Sequence, residues 1–381
     1  MKNEKKGLLA NPGAQSVISS LICVALGLLV GFIVLLCISP TGAGKAISTI
    51  LLNFLSRGSH VARAKALGNT LAKTAPLLMC ALSVCFCYKV GLFNIGVAGQ
   101  YEAGAGIALM AALAWGMPWY VCLILAAIAG AVLGAVSGIL KAYRNVNEVL
   151  SGIMLNWITL YTVNQVLSGT PKDPTSPYTK DLVMASPGAK LPTLGLEKLF
   201  ANNQTVTIAI PLSILFAILV WVVLTKTKFG YELVATGFNK DAAKYAGMKE
   251  NRNIIVTLAI GGALAGIGAA FLFLSGYQKW EVTQASVPAM GFNGIAATFL
   301  GALHPLGTIF ASFFIQSITD GGAMVDRMVY PSQVSDLISA IIIYLCGFSL
   351  FFKYAMAKHA ASKAEKNNAN AEETNKEGGE N

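Results

Sequence analysis

The stretch ISSLICVALGLLVGFIVLLCI, residues 18–38, decides the fold class of this chain because it contains no charged side chain. The apolar core of a bilayer is about 30 Å thick, and a helix needs about 20 apolar residues to cross it. A cleaved signal peptide would have a shorter apolar region and a small-x-small site after it, whereas Ile38-Ser39-Pro40 offers none. We therefore expect a retained transmembrane helix here.

Similar apolar runs follow along the whole chain. Only 12% of the 381 residues are charged and 55% are hydrophobic, whereas a soluble domain carries about 25% charged residues. Glycine and proline interrupt the run 294–319, which we interpret as a short half-helix, 291–302, followed by a helix from 306. The sequence predicts an all-α polytopic bundle of nine or ten spans, one of them short or broken. The further runs are 68–88, 99–115, 119–140, 149–168, 206–225, 253–275, 294–319 and 333–352.

Lysine and arginine are concentrated in a few short segments, which sets the expected orientation. The N-terminus, the turn 141–147, the loop 226–252 and the region after 353 are rich in these residues, so we expect all four to be cytoplasmic. When the membrane crossings are counted, the segment 41–66 lies on the external side of the membrane although it is basic. Because its apolar residues follow an amphipathic pattern, we expect an interfacial helix there.

These patterns divide the chain into three parts. Residues 1–16 form a cytoplasmic N-terminus and residues 17–352 a transmembrane domain, with a proline-rich external loop at 169–205 and the cytoplasmic loop 226–252. The polar tail 353–381 is expected to be disordered. Three acids near the end of the domain are expected to be solvated at the outer face: Asp320, Asp326 and Asp336.

Motifs for nucleotide, metal or covalent chemistry are not evident. The stretch TGAGKA, residues 41–46, lacks the first glycine of a phosphate-binding loop and has Ala46 where Ser or Thr would hold magnesium. The three His and seven Cys residues show no metal-ligand spacing. The net charge of +10 reflects membrane orientation, not a nucleic-acid partner. We expect a non-enzymatic chain with no cofactor, metal site or catalytic residue of its own.

Two glycine-rich stretches interrupt the apolar pattern with amide side chains. The first is GLFNIGVAGQ, residues 91–100, and the second, GFNGI at 291–295, echoes it in the other half of the chain. Broken segments at corresponding places indicate a central pathway between two structural repeats. A further segment, 237–247, reads as a short cytoplasmic helix bounded by glycines, either a docking element for a partner or a plain connector.

Four segments together resemble the permease subunits of bacterial ABC importers for nucleosides and simple sugars: 91–100, 147–156, 237–247 and 290–307. The resemblance spans residues 65 to 350. It implies a multi-pass protein of the bacterial cytoplasmic membrane that pairs with a second permease, identical or different. It also implies a separate ATPase subunit that binds the ATP, and an external substrate-binding lipoprotein that delivers the solute.

The same resemblance assigns roles to particular residues. The candidates for the translocation pathway are Asn94, Gln100, Asn156 and Asn293. The candidates for the helix that couples to the ATPase are Gly237, Asn239, Ala242, Ala243 and Gly247. The family often has an acid where this chain has Ala98, which weakens the assignment of Gln100.

Nucleosides are the preferred cargo, because the forms NIG…GQ and GFNGIA match them better than sugars and because neutral amides suit a neutral, hydroxylated solute. Sugars and branched-chain amino acids remain alternatives within the same architecture. An ion-coupled secondary transporter is an alternative of another class, and it would need intramembrane acids such as Glu102 or Glu148. An integral-membrane enzyme lacks support in the motifs.

Overall fold

The computed structural model describes residues 12–326 and 328–330, together with scattered positions from 337 to 358. Three predicted segments lie wholly or mostly outside these residues: the N-terminus 1–16, the last span 333–352 and the tail 353–381.

The described part of the chain is helical and contains no strand, only two isolated β-bridges in loops. This confirms the predicted all-α helical bundle. The helices are α1 (Pro12–Ile38), α2 (Ala43–Leu52), α3 (His60–Lys89), α4 (Val97–Leu113), α5 (Trp119–Arg144), α6 (Glu148–Leu167), α7 (Leu182–Ala185), α8 (Ala209–Lys226), α9 (Lys228–Phe238), α10 (Lys240–Tyr245), α11 (Glu250–Phe273), α12 (Ala289–Leu300) and α13 (Gly307–Gly322).

Within the described residues, five helices are long and apolar enough to cross a membrane: α1, α3, α5, α8 and α11. The predicted spans 99–115 and 149–168 correspond to α4 and α6, and α4 has only 17 residues, the lower limit for a crossing. The predicted broken span is the pair α12 and α13, separated by a turn over residues 301–306. In that turn Ala302 and Leu303 both have a φ of +57°.

Glycines hold the centre of the bundle together by allowing backbones to touch. A Cβ added to Gly130 of α5 would collide with the carbonyl oxygen of Gly262 in α11, and one at Gly104 of α4 would collide with Gly266. Packing between membrane helices depends on such close approach, because lipid gives no hydrophobic drive for association. Helices α4 and α11 lie with α3 in the inner layer of the fold, whereas α5 packs on them through its glycine face and exposes the opposite face.

The half-helix α12 is packed into the bundle by the same means. A Cβ on Gly291 would lie 2.6 Å from Cα of Ala98, and Thr298 Oγ1 donates to the carbonyl oxygen of Ala81 at 2.7 Å. Its first turn thus lies against the first turn of α4. This contact fixes the position of the candidate site.

One expectation about the outer face was wrong. Asp320 of α13 is 8% exposed and pairs with Lys73 of α3, with 2.8 Å between Lys73 Nζ and Asp320 Oδ1. Thr70 Oγ1 and Gln316 Nε2 also donate to its carboxylate, each at 2.9 Å. Packing of α3 on α13 supplies these partners, so the acid is buried in a hydrogen-bonded network and is not solvated.

The segment 41–66 is helical where an interfacial helix was expected, but one face of α2 is covered by protein. Ala43, Ala46 and Ile50 are buried, and a Cβ on Gly321 of α13 would collide with the carbonyl oxygen of Ile50. Leu51 and Leu52 remain exposed. The amphipathic pattern therefore reflects packing on α13 as well as an apolar outer surface.

Candidate translocation site

The turn between α3 and α4 carries amide side chains into the bundle. Asn94 Nδ2 donates to Gln100 Oε1 at 2.8 Å and to Ser83 Oγ at 3.1 Å. Gln100 Nε2 returns a hydrogen bond to Asn94 Oδ1 at 3.2 Å. Asn94 and Gln100 therefore form a reciprocal amide pair that ties the turn to the first turn of α4.

Asn156 of α6 binds the same turn from the other side. Its Oδ1 accepts from the backbone N–H of Gly99 at 2.8 Å, and its Nδ2 donates to the carbonyl oxygen of Ile95 at 3.2 Å. The first N–H groups of a helix have no partner within it, so Asn156 supplies one for α4. The close approach depends on Gly152, where a Cβ would lie 2.7 Å from the backbone nitrogen of Gly96.

Three of the four predicted pathway residues, Asn94, Gln100 and Asn156, thus lie close together. With Ser83 they form a group that we call the amide cluster. Asn94, Gln100 and Asn156 are only 3%, 1% and 2% exposed. In this conformation they bind one another and the backbone, and they join α3, α4 and α6.

The fourth candidate, Asn293, lies apart from the amide cluster. It is on α12, is partly exposed, and makes no hydrogen bond to the part of the chain that the structure describes. The stretch 291–295 is helical, whereas its echo 91–95 forms a turn, so the two stretches differ in local structure. The repeat between the two halves of the chain stays a prediction.

A cavity of about 740 Å³ lies at the end of the bundle that is predicted to be external. It is bordered by the loop 274–288, the start of α12 and one residue of α4. We call it the outer cavity. Five aromatic side chains line it: Tyr101, Tyr178, Phe273, Tyr277 and Trp280.

Three of these aromatic rings form a row along one wall. The ring centroids of Tyr101 and Phe273 are 6.3 Å apart, and those of Phe273 and Trp280 are 5.6 Å apart. Trp280 Nε1 donates to Asn164 Oδ1 at 2.9 Å, which fixes the indole. Aromatic faces of this kind stack on planar ligands. The sequence reasoning missed this row, although Tyr277 and Trp280 in one short loop between spans were a signal.

An ion pair stands at the rim of the outer cavity, where Lys279 Nζ lies 3.3 Å from Asp181 Oδ2. Burial raises the pKa of Asp181, but the hydrogen bonds from Lys279 and from the N–H groups of Met184 and Val183 outweigh it. The pKa of this carboxyl group therefore lies below its ordinary value, and the rim stays charge-paired near neutral pH.

Two polar groups beside the amide cluster have no hydrogen-bond partner among the described residues. They are the hydroxyl group of Tyr101 and both carboxylate oxygens of Glu102. Tyr101 is 1% exposed and Glu102 is fully buried. An unpartnered polar group in an apolar interior is costly, so this part of α4 differs from the turn that precedes it.

The predicted coupling segment is built from α9 and α10. Asn239 caps α10 by accepting from the N–H of Ala242 at 2.9 Å, and Gly247 ends the segment with a φ of +80°. Ala242 is exposed, whereas Ala243 is buried, and a Cβ on Gly237 would collide with the carbonyl oxygen of Val90. Gly237 and Ala243 therefore pack inward, so a bulky side chain at either position would disturb the packing of the bundle.

The outward face of the same segment shows two residues that the sequence reasoning had not singled out. Phe238 and Tyr245 are each 94% exposed. Large aromatic side chains with so much exposed surface on a polar loop indicate a surface for a partner. Among the described residues, no group of three His, Cys, Asp or Glu side chains is placed to hold a metal ion.

Comparison with known proteins identifies the family. Residues 66–347 match the model for the permease component of branched-chain amino acid transport systems. The guanosine ABC transporter permease NupP of Bacillus subtilis is 31% identical over 89% of this chain and 95% of that protein. The nucleoside ABC transporter permease NupB of Lactococcus lactis is 30% identical over 93% of this chain and 97% of that protein.

A glucose ABC transporter permease, TsgB13 of Haloferax volcanii, is 27% identical over 75% of this chain and 77% of that protein. No solved structure matches the chain significantly. The family model covers most of the chain, including the amide cluster, α9, α10 and the outer cavity. The chain belongs to this family of permease components, and it is a multi-pass membrane subunit of an ABC transporter.

Proposed function

We propose that this chain forms the translocation pathway for nucleosides in an ABC importer of the bacterial cytoplasmic membrane. The observation that carries the proposal is the aromatic outer cavity, considered with the nucleoside permeases that match nearly the whole chain. Its volume of about 740 Å³ falls within the range of about 300–1,000 Å³ that is usual for small-molecule sites.

The chemistry of the cavity supports a solute with one planar, apolar face. A nucleobase stacks on aromatic rings, and each such contact is worth about 1–3 kcal/mol in nucleic-acid complexes. Tyr178, which is 42% exposed, and the partly exposed Tyr277 provide this surface, and the buried row of Tyr101, Phe273 and Trp280 lines the same cavity. The charges at the rim are paired, so they leave no free cation to select a phosphate over a neutral nucleoside.

The proposal places the energy source in a separate ATPase subunit, since the stretch 41–46 lacks the residues of a phosphate-binding loop. The ATPase would dock on the cytoplasmic surface formed by Phe238 and Tyr245. Gly237, which packs on the turn after α3, would transmit the movement to α4. A second permease, identical or different, and an external binding lipoprotein complete the assembly, with both termini in the cytoplasm.

Uptake by the reconstituted complex tests the cargo. The full transporter in proteoliposomes, loaded with its binding protein, should import guanosine and uridine only when ATP is present on the ATPase side. Glucose and leucine should not compete at tenfold excess. Import of glucose without import of nucleosides would instead indicate that this chain transports sugars, as the name of the Haloferax volcanii relative suggests. Concentrative uptake by this chain alone, driven by an ion gradient, would contradict an ABC mechanism.

Substitution of the two exposed aromatic residues tests the coupling. Phe238→Ala and Tyr245→Ala together should lower co-purification of the ATPase and abolish ATP-dependent uptake, because central aromatic residues contribute most to interfaces. Tyr143→Ala is the matched control, since Tyr143 is 67% exposed at the same end of the bundle but lies on α5. Normal uptake in the double variant would remove the docking assignment.

A further inference from the structure

Glu102 is the acid of the inner bundle for which the structure gives no partner. It is fully buried in α4, and neither carboxylate oxygen has a hydrogen bond within the described residues. None of the ion pairs among those residues involves it, and Lys73 is already paired with Asp320. Because a buried acid without partners destabilises a membrane protein, its presence indicates a role in another step of the transport cycle.

Glu102 lies on α4 next to a residue that lines the outer cavity. It follows Tyr101, which lines that cavity, and lies two residues after Gln100 of the amide cluster. It shares a helix face with Ala98, four residues earlier, and Ala98 touches Gly291 in the first turn of α12. Met290, the neighbour of Gly291, also lines the outer cavity. The contact between α4 and α12 therefore lies beside the cavity, one helical turn from Glu102.

Separation of α4 from α12 would join Glu102 to the cavity. The closest contact is made through glycine and alanine, and the described residues form no hydrogen bond between the first turns of the two helices. The amide cluster below it is fully bonded and would remain as the next barrier. A solute entering from the outer cavity would then meet the two free carboxylate oxygens of Glu102.

We propose that Glu102 binds the sugar hydroxyl groups of the nucleoside as it passes between α4 and α12; this inference rests on the proposed function. The carboxyl group of Glu102 has two oxygen atoms that can accept hydrogen bonds, and these match the two adjacent hydroxyl donors of a ribose. Acidic side chains bind ribose hydroxyl groups in this way in nucleotide-binding folds. The base contacts Tyr178 and Tyr277, the more exposed rings of the outer cavity, while the sugar contacts Glu102.

Nucleosides with and without the two hydroxyl groups test this assignment. The wild-type transporter should take up guanosine with a KM about tenfold lower than that of 2′,3′-dideoxyguanosine, since each of the two lost hydrogen bonds weakens binding severalfold. Glu102→Gln should lower this preference, and Glu102→Ala should remove it, by raising the KM for guanosine and not that for the dideoxy analogue. Asp173→Asn, in the external loop, is the control and should keep the preference.

A change in KM ratio separates substrate contact from a structural role, because a misfolded variant loses both substrates equally. Co-purification of the ATPase with each variant checks assembly. Equal KM values for the two nucleosides in the wild type would overturn the role of Glu102 while leaving nucleoside transport intact. The proposed role of Glu102 would also be wrong if Glu102→Gln lost uptake of both substrates alike and the wild type required a proton gradient. A wild type that imports no nucleoside would overturn the proposed function itself.

Discussion

Two neighbouring regions of α4 contain polar side chains that are equally buried but differ in how those side chains are bonded. In the first turn, the amide groups of Gln100 and Asn94 bond to each other, and Asn156 bonds to the backbone of Gly99 and Ile95. Immediately after it, Tyr101 and Glu102 are equally buried but have no described partner. Both regions place polar side chains in an otherwise apolar segment. What distinguishes them is hydrogen bonding: bonded side chains have a structural role, and unbonded ones are available to a ligand.

Replacement of Asn156 should produce the largest change in stability, and it tests the hydrogen-bonded region at the first turn of α4. Asn156→Leu keeps the number of side-chain heavy atoms but leaves the N–H of Gly99 and the carbonyl of Ile95 without partners. We expect a loss of about 3 kcal/mol, at the upper end of the cost of unsatisfied buried groups, seen as a lower thermal unfolding midpoint in detergent.

The control for that substitution lies on the same helix. Thr162 is exposed and bonds only to the carbonyl oxygen of Ile158, so Thr162→Val should change stability by less than about 0.5 kcal/mol. An unfolding midpoint of Asn156→Leu as high as that of Thr162→Val would show that Asn156 is not needed to hold α4, and the contrast within α4 would disappear.

A double-mutant cycle on the amide pair should give the next largest effect. Asn94→Ala and Gln100→Ala should each cost about 2 kcal/mol, and the double variant should cost less than the sum by about 1 kcal/mol, because each single change leaves the other amide unpaired. The measurement is again the thermal midpoint of the purified chain. Additive effects would indicate that the two side chains do not share a hydrogen bond in the membrane.

Replacement of Glu102 should act in the opposite direction. Glu102→Leu removes an unpartnered acid, so we expect the unfolding free energy to rise by about 1–2 kcal/mol while uptake falls. The same thermal assay, run beside uptake, measures both. A fall in stability would show that Glu102 has a structural role like the residues of the amide cluster. The contrast between the two regions of α4 would then be wrong.

Asn293 should give the smallest change in stability. Because it is partly exposed and has no described partner, Asn293→Ala should shift the unfolding free energy by less than about 0.5 kcal/mol. Uptake by this variant then tests the predicted pathway role without interference from folding. Unchanged uptake would withdraw Asn293 from the pathway candidates.

Much of the fold follows from local sequence. The apolar run 18–38, the break before Gly307 and the short helix that ends before Gly247 all appear where the residues predict them. Helix α9 was missed, because its pattern Lys228–Phe238 carries two glycines and reads as a loop. Asp320 was misplaced, because its partner Lys73 is 247 residues away. Neither partner carries a signal that points to the other.

The sequence by itself determined that this is a polytopic α-helical membrane protein, because insertion depends on the apolar character of about 20 consecutive residues, a local property. Only the tertiary structure decided which polar residues are bonded and which are free. Hydrogen bonds join atoms brought together from distant helices, such as Asn156 and Gly99, 57 residues apart. The same packing left Glu102 beside the cavity without a partner.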